Sequence, residues 1–203
     1  MTDEALFAAG SYVGETFADL EADEAEFTDI EFEDCIFRRC RFPAGTFRAC
    51  AFVNCQFEFC DLGLVKVPDS RFTDAQFIDC KLIGVDWTEA SALTGLTTSL
   101  SFTRCVLNYS FFVKLDLTGA RFVECEAREV DFSGATLQRA SFVKADLAEA
   151  KFNETDLREA DFTDAHSYVI DPTRNKIKKA RFSLPDAIGL LKPFGAIVKL
   201  PGE

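Results

Sequence analysis

The chain is poor in the residues that most often carry chemistry. Its 203 residues include one histidine, one tryptophan, one methionine and three tyrosines. His166 stands without a cysteine or serine partner at a catalytic spacing, and glycine-rich phosphate loops, HExxH and GxSxG are all missing. Nucleotide hydrolysis, zinc proteolysis and serine-esterase chemistry lose their usual signatures with them. Six prolines and no Ser/Gly-rich stretch argue against a long linker. No segment approaches the roughly 20 apolar residues of a membrane span. The N-terminus is acidic and lacks a basic stretch followed by an apolar run, so no secretory signal is expected. The expectation is a cytoplasmic protein without cofactor, metal or membrane partner, and not an enzyme.

What the chain has is a count of five. Apolar residues recur at Phe27, Phe32, Phe37, Phe42, Phe47, Phe52 and Phe57, and the register persists to Phe162. Of 22 phenylalanines only Phe59, Phe111 and Phe194 miss it. All eight cysteines (Cys35, Cys40, Cys50, Cys55, Cys60, Cys80, Cys105, Cys125) stand two residues before a register position, where Ala, Gly, Ser or Val stand elsewhere. Helices repeat near 3.6 and strands near 2, so a period of five reports a superstructure. A chain that turns a corner every five residues satisfies it. The large and the small apolar residue point inward from each side, and four sides close a coil of 20. Residues 5–164 then hold 32 units, or eight coils, stacked at strand spacing over roughly 38 Å.

This spacing resembles the pentapeptide-repeat family, over residues 5–164. The resemblance implies an all-β solenoid, a right-handed quadrilateral β-helix. The expected organisation is a β-helix over 1–164 and a C-terminal cap and dimerisation module over 165–203. Ser183 followed by Asp186 reads as a helix start. The helix would run to about Leu191, with Phe194, Ile197 and Val198 forming a short apolar strand. Leu184, Ile188, Leu191, Phe194, Ile197 and Val198 are the candidate homodimer interface, because an open solenoid end is capped or paired.

The cysteines read as small buried fillers that alanine replaces elsewhere. Stacking at 20 residues places Cys40, Cys60 and Cys80 in one column, with Cys35–Cys55 and Cys105–Cys125 as separate pairs. Parallel side chains and a reducing compartment disfavour bridges. The register weakens over 88–100. Thr88, Glu89, Ser91, Leu93, Thr94, Leu96 and Thr97 are either a projecting loop or three imperfect units, and Trp87 fits a core slot.

The formal charge is −12. Residues 5–164 carry −14, and 165–203 carry +4. Sorted at an unbroken period of 20, one side gathers Glu26, Asp29, Asp69, Asp86, Glu89, Glu126, Glu129, Asp146 and Glu149, for a net of −6 against −3, −3 and −2 elsewhere. Glu126 over Asp146 and Glu129 over Glu149 would repel. Solubility is one reason for such a side. Imitation of duplex DNA, a rod with a charge about every 1.7 Å, is another; such a rod would not itself bind nucleic acid.

The tail Lys179–Leu191, with Ser101–Ser110 and Phe122–Cys125, resembles the Qnr and AlbG type of pentapeptide-repeat protein. That resemblance implies a homodimer that binds DNA gyrase, in some members topoisomerase IV. It implies protection from quinolones or from natural poisons such as albicidin. A structural scaffold for an unrelated protein partner is the alternative.

Overall fold

The structure is a computed structural model that describes Phe7, residues 10–91 and residues 100–198. It is a four-sided parallel β-solenoid of about eight coils. Short strands of two to four residues, such as Glu26–Thr28, Ile30–Glu33 and Ile36–Arg38, lie on successive sides and pair in parallel with the coil above. The faces are named here by one coil: Phe27, Phe32, Phe37 and Phe42. The centre residue of each described unit from Phe27 to Phe162 is buried, and the corner two residues later commonly takes positive φ, as at Asp29 (53°), Asp34 (54°) and Arg39 (52°). Alternation of one inward centre with exposed neighbours, plus a left-handed corner residue, is what the count of five encodes.

Rings fill the axis. On the Phe37 face nine phenylalanines follow one another, from Phe17 through Phe37, Phe57, Phe77, Phe102, Phe122, Phe142 and Phe162 to Phe182. Each stacks on the next at 4.7–5.3 Å between centroids. Rings on adjacent faces meet edge to face, as Phe122 meets Phe132 at 5.3 Å and 78°. Offset stacks and edge contacts both suit the ring quadrupole. Trp87 occupies a core slot, stacked on Phe112 at 5.8 Å.

The Phe77–Phe102 step breaks the expected arithmetic. Gln76–Ile78 pairs with Ser101–Thr103, an advance of 25 residues, and the Lys81–Val106 and Asp86–Phe111 bridges repeat it. One extra unit enters between these coils. Three imperfect units in an unbroken coil are therefore excluded. Thr88, Glu89 and Ser91 remain in the coil: Asp86 accepts from the Thr88 N–H (2.9 Å), and the Ser91 hydroxyl donates to the Asp69 carbonyl (2.9 Å). Leu93, Thr94, Leu96 and Thr97 lie outside the described residues. An insertion of five leaves the count of five in phase and rotates every later unit by one face.

The cysteines do more than fill. All eight are buried and free. The Cys60 thiol donates to the Phe37 carbonyl one coil below (3.3 Å), and Cys80 Sγ accepts from the Cys60 N–H (3.3 Å) while its thiol donates to the Phe57 carbonyl (3.4 Å). Ser70 does the same with oxygen, donating to the Phe47 carbonyl (2.8 Å) and accepting from the Cys50 N–H (2.9 Å). These side chains bridge corners whose own carbonyl and N–H do not meet, a task alanine cannot perform. The 25-residue step also joins two expected groups: Cys40, Cys60, Cys80, Cys105 and Cys125 share one face, and Cys105 donates to the Phe77 carbonyl across the insertion (3.3 Å). Burial pushes the Cys55 thiol up to about 12, so it stays protonated and inert.

Stacking continues past residue 164. Asp161–Phe162 pairs with Arg181–Phe182, and Tyr168 packs on Phe162 and Phe182 at 5.6 and 5.8 Å. The tail helix is a 3₁₀ helix over Asp186–Phe194, later than expected, closed by Gly195 at φ 68°. Ser183 and Asp186 do not form its cap. The Ser183 hydroxyl accepts from the Asp164 N–H (3.1 Å) and the Asp186 carboxylate from the Ser167 N–H (2.9 Å), which ties the tail to the last coil. Residues 196–198 form no strand. Among the described residues no helix is long and apolar enough to cross a membrane.

Candidate interaction surface

The inserted unit splits the expected acidic side. Glu26, Asp29, Asp69, Asp86 and Glu89 lie on the Phe27 face. Glu126, Glu129, Asp146 and Glu149 lie on the adjacent Phe42 face, because Lys81 stacks on Val106 rather than on Ser101. In the observed register the four faces carry −3, −4, −2 and −5 from Phe27 to Phe42, so the single dominant side dissolves.

Charge is instead organised by corners. Of the 26 described non-glycine residues with positive φ, 13 are Asp or Glu. Six of these are glutamates: Glu24, Glu124, Glu129, Glu149, Glu154 and Glu159. Asp and Asn are favoured in this conformation because a short polar side chain bonds locally; glutamate has no such advantage. The corners are the convex edges of the column, and most of the acids there are exposed.

Several acids are tied to the coil above or below. Arg39 holds Asp19 at 2.6 Å and Arg104 holds Asp79 at 2.7 Å, both through paired guanidinium hydrogen bonds. These bonds lower both carboxyls below the ordinary aspartate range. Glu126 does stack on Asp146. The expected repulsion is relieved, because Arg128 bonds Asp146 at 2.6 Å. Exposed pairs of this kind add little stability each. Their effect is to lock neighbouring coils in register. Among the described residues no cluster of His, Cys, Asp or Glu is arranged to hold a metal ion.

At the C-terminal end Leu184, Leu191, Phe194, Ile197 and Val198 are exposed, Ile197 at 90%, while Ile188 is half-buried. Composition found this apolar tail. A second apolar surface escaped it: Phe59, Leu64, Tyr109 and Phe111 are also exposed. The signal was present, since the three phenylalanines that miss the register, Phe59, Phe111 and Phe194, are all exposed.

The sequence profile of the pentapeptide repeat region matches residues 30–112 and 95–162. No curated protein matches the chain. Among solved structures, a trypsin-treated variant of QnrB1, a plasmid-mediated fluoroquinolone resistance protein, aligns over 94% of this chain and 98% of its own, with a TM-score of 0.54 and 20% identity. Full-length QnrB1 aligns over 92% and 100% with a TM-score of 0.47 and 22% identity. HetL, a pentapeptide repeat protein involved in heterocyst differentiation regulation in the cyanobacterium Nostoc, gives a TM-score of 0.36 at 16% identity, over 83% and 85%. At these identities the likeness speaks for the fold. With the profile spanning most of the coils, the chain belongs to the pentapeptide-repeat family.

Proposed function

We propose that this protein is a non-catalytic DNA mimic that binds DNA gyrase, with topoisomerase IV as a second target, and shields it from quinolone-type or natural-product poisons. The observation that carries the reading is the excess of acids at the described left-handed non-glycine positions, 13 of 26 against six bases, with six of the acids glutamates that the backbone does not favour. Convex edges lined with carboxylates offer a basic DNA-binding groove what duplex phosphates offer it. The solenoid shared with a fluoroquinolone resistance protein supports the same reading at the level of fold. The exposed apolar tail supports a homodimer joined end to end, which would lengthen the rod. The test is a supercoiling assay with purified gyrase, with and without a quinolone or albicidin. Inhibition at micromolar protein together with rescue from the poison is expected. The absence of both effects would refute the proposal. A scaffold for an unrelated partner is the second reading, favoured by cross-coil ion pairs that neutralise some of the acids, such as Arg38–Glu58 at 2.6 Å. Gyrase indifference combined with specific capture of another protein would favour it.

A further inference from the structure

The Phe42 face is acidic at its ends and apolar in its middle. Glu21, Asp23 and Glu24 stand at one end and Glu126, Glu129, Asp146 and Glu149, with Arg128 paired to Asp146, at the other. Between them the only charged residues are Arg41, Asp61 and Lys81, two of which pair on Asp61 at 3.6 and 3.5 Å. Along the edge toward the Phe27 face stand Leu64, Ile83 one coil on, and then Tyr109 with Phe111 beside it, while Phe59 stands on the opposite edge between Arg39 and Asp79 of the neighbouring coils. Phe59, Leu64, Tyr109 and Phe111 are 58%, 61%, 53% and 45% exposed.

Two features set this patch apart from scattered surface apolars. Phe59, Leu64 and Tyr109 hold φ of 55°, 57° and 64°, and they are the large apolar residues among the described left-handed corners. Asn, Asp or Gly would suit both the backbone and the solvent better at these sites. Gly84 then leaves room for Leu64 on the edge that leads to Tyr109. A Cβ there would lie 2.7 Å from Leu64 Cδ2, so Leu64 leans across the coil that separates it from Tyr109. Such a ridge weakens both local conformation and solubility, which leaves recognition as its use.

We infer that the Leu64–Tyr109–Phe111 ridge is the specificity-setting contact of the protein, and that its occupant is a concave protein groove presenting aliphatic or aromatic side chains between two basic clusters. Charge complementarity argues for that occupant: carboxylates flank the ridge on the same face at both ends. A second copy of this acidic face would place like charges against each other. The inference rests on the gyrase reading and deepens it, since a DNA groove alone supplies the basic clusters and not the apolar contact. Carboxylate contacts weaken steeply with salt, whereas apolar contacts do not.

The experiment measures the affinity of the full chain for purified gyrase at two salt concentrations, with Leu64→Asn/Tyr109→Asn and, separately, Phe111→Ser. Asn suits the left-handed corners, so the double variant keeps its fold, which circular dichroism checks. At least a tenfold loss of affinity at both salts, with the salt dependence unchanged, is expected. Wild-type affinity of both variants at high salt would overturn the inference and leave the gyrase reading standing. No binding by the wild-type protein would overturn both. Conversion of a dimer to a monomer by the double variant would show the ridge to be a self-contact and overturn the inference alone.

Discussion

The two halves of the column solve the same corner in different ways. In residues 10–91 many corners stay open and borrow a side chain from the coil above. The carbonyls of Tyr12, Phe17, Phe27, Phe32, Phe37 and Phe57 accept thiols, and that of Phe47 accepts a hydroxyl. In residues 100–182 most corners close themselves. The N–H three residues on bonds directly to the carbonyls of Leu117, Phe132, Leu137, Phe142, Leu147, Leu157 and Phe162, at 3.0–3.1 Å. Cysteine is the commonest residue at the small inward position in the first half, and alanine is the commonest in the second. The small residue is thus a choice between coupling a coil to its neighbour and letting it stand alone. In a solenoid, where stability is a sum of unit and nearest-neighbour terms, that choice sets how cooperatively each half unfolds.

The comparison can be strained at several points. The largest effect comes from the ring column that both halves share. Phe57→Ala and Phe142→Ala each remove a fully buried ring stacked on both sides, and each is expected to lose about 3–5 kcal/mol in urea unfolding. Equal losses show that ring packing is common ground.

Corner bridging separates the halves. Ser70→Ala strands the buried Cys50 N–H and Phe47 carbonyl, with an expected loss of about 1–3 kcal/mol. Ala140→Ser sits above a corner already closed by the Ala120 N–H on the Leu117 carbonyl (3.0 Å), so the added hydroxyl gains no bridge and the change should fall below about 1 kcal/mol. Equal effects at the two sites would abolish the distinction. Cys60→Ser should hold its corner better than Cys60→Ala.

The smallest effect is acid sensitivity. Asp19 and Asp79 have folded pKa values lowered by Arg39 and Arg104. Their stabilisation is present above the unfolded aspartate pKa, near 3.9, and is lost as pH falls through the lower folded value. Thermal midpoints should drop as pH falls below about 4, and Arg104→Gln should flatten part of that drop. An unchanged acid limb in the variant would remove the pair from the account.

The solenoid itself was legible because every unit repeats the same inward pair. Trp87 in the core and the apolar tail were legible for the same reason: size and hydropathy sufficed. The faces were not. A five-residue insertion is invisible to a count of five, and only the order of residues within columns betrays it. The clue was in the phenylalanines: a step of 25 after Phe77 restores an uninterrupted ring column from Phe17 to Phe182, whereas a step of 20 mixes the columns. The cysteines were legible as buried and free, but their hydrogen bonds were not, because burial and hydrogen bonding look alike in sequence. Ser183 and Asp186 misled because their partners, Asp164 and Ser167, lie one coil back rather than three residues on. The corner glutamates and the Leu64–Tyr109 ridge needed the left-handed φ values before either stood out.

The slip of one face decides where every charge and every corner bridge lies, and nitroxides can read it directly. Spin labels at Lys81→Cys and Val106→Cys sit on adjacent coils of one face, roughly 5 Å apart along the backbone. The buried native thiols are shielded from the label. Strong dipolar broadening for 81/106, and little for Lys81→Cys with Ser101→Cys, is the predicted result. The reverse pattern would mean an unbroken coil of 20 and would contradict the account.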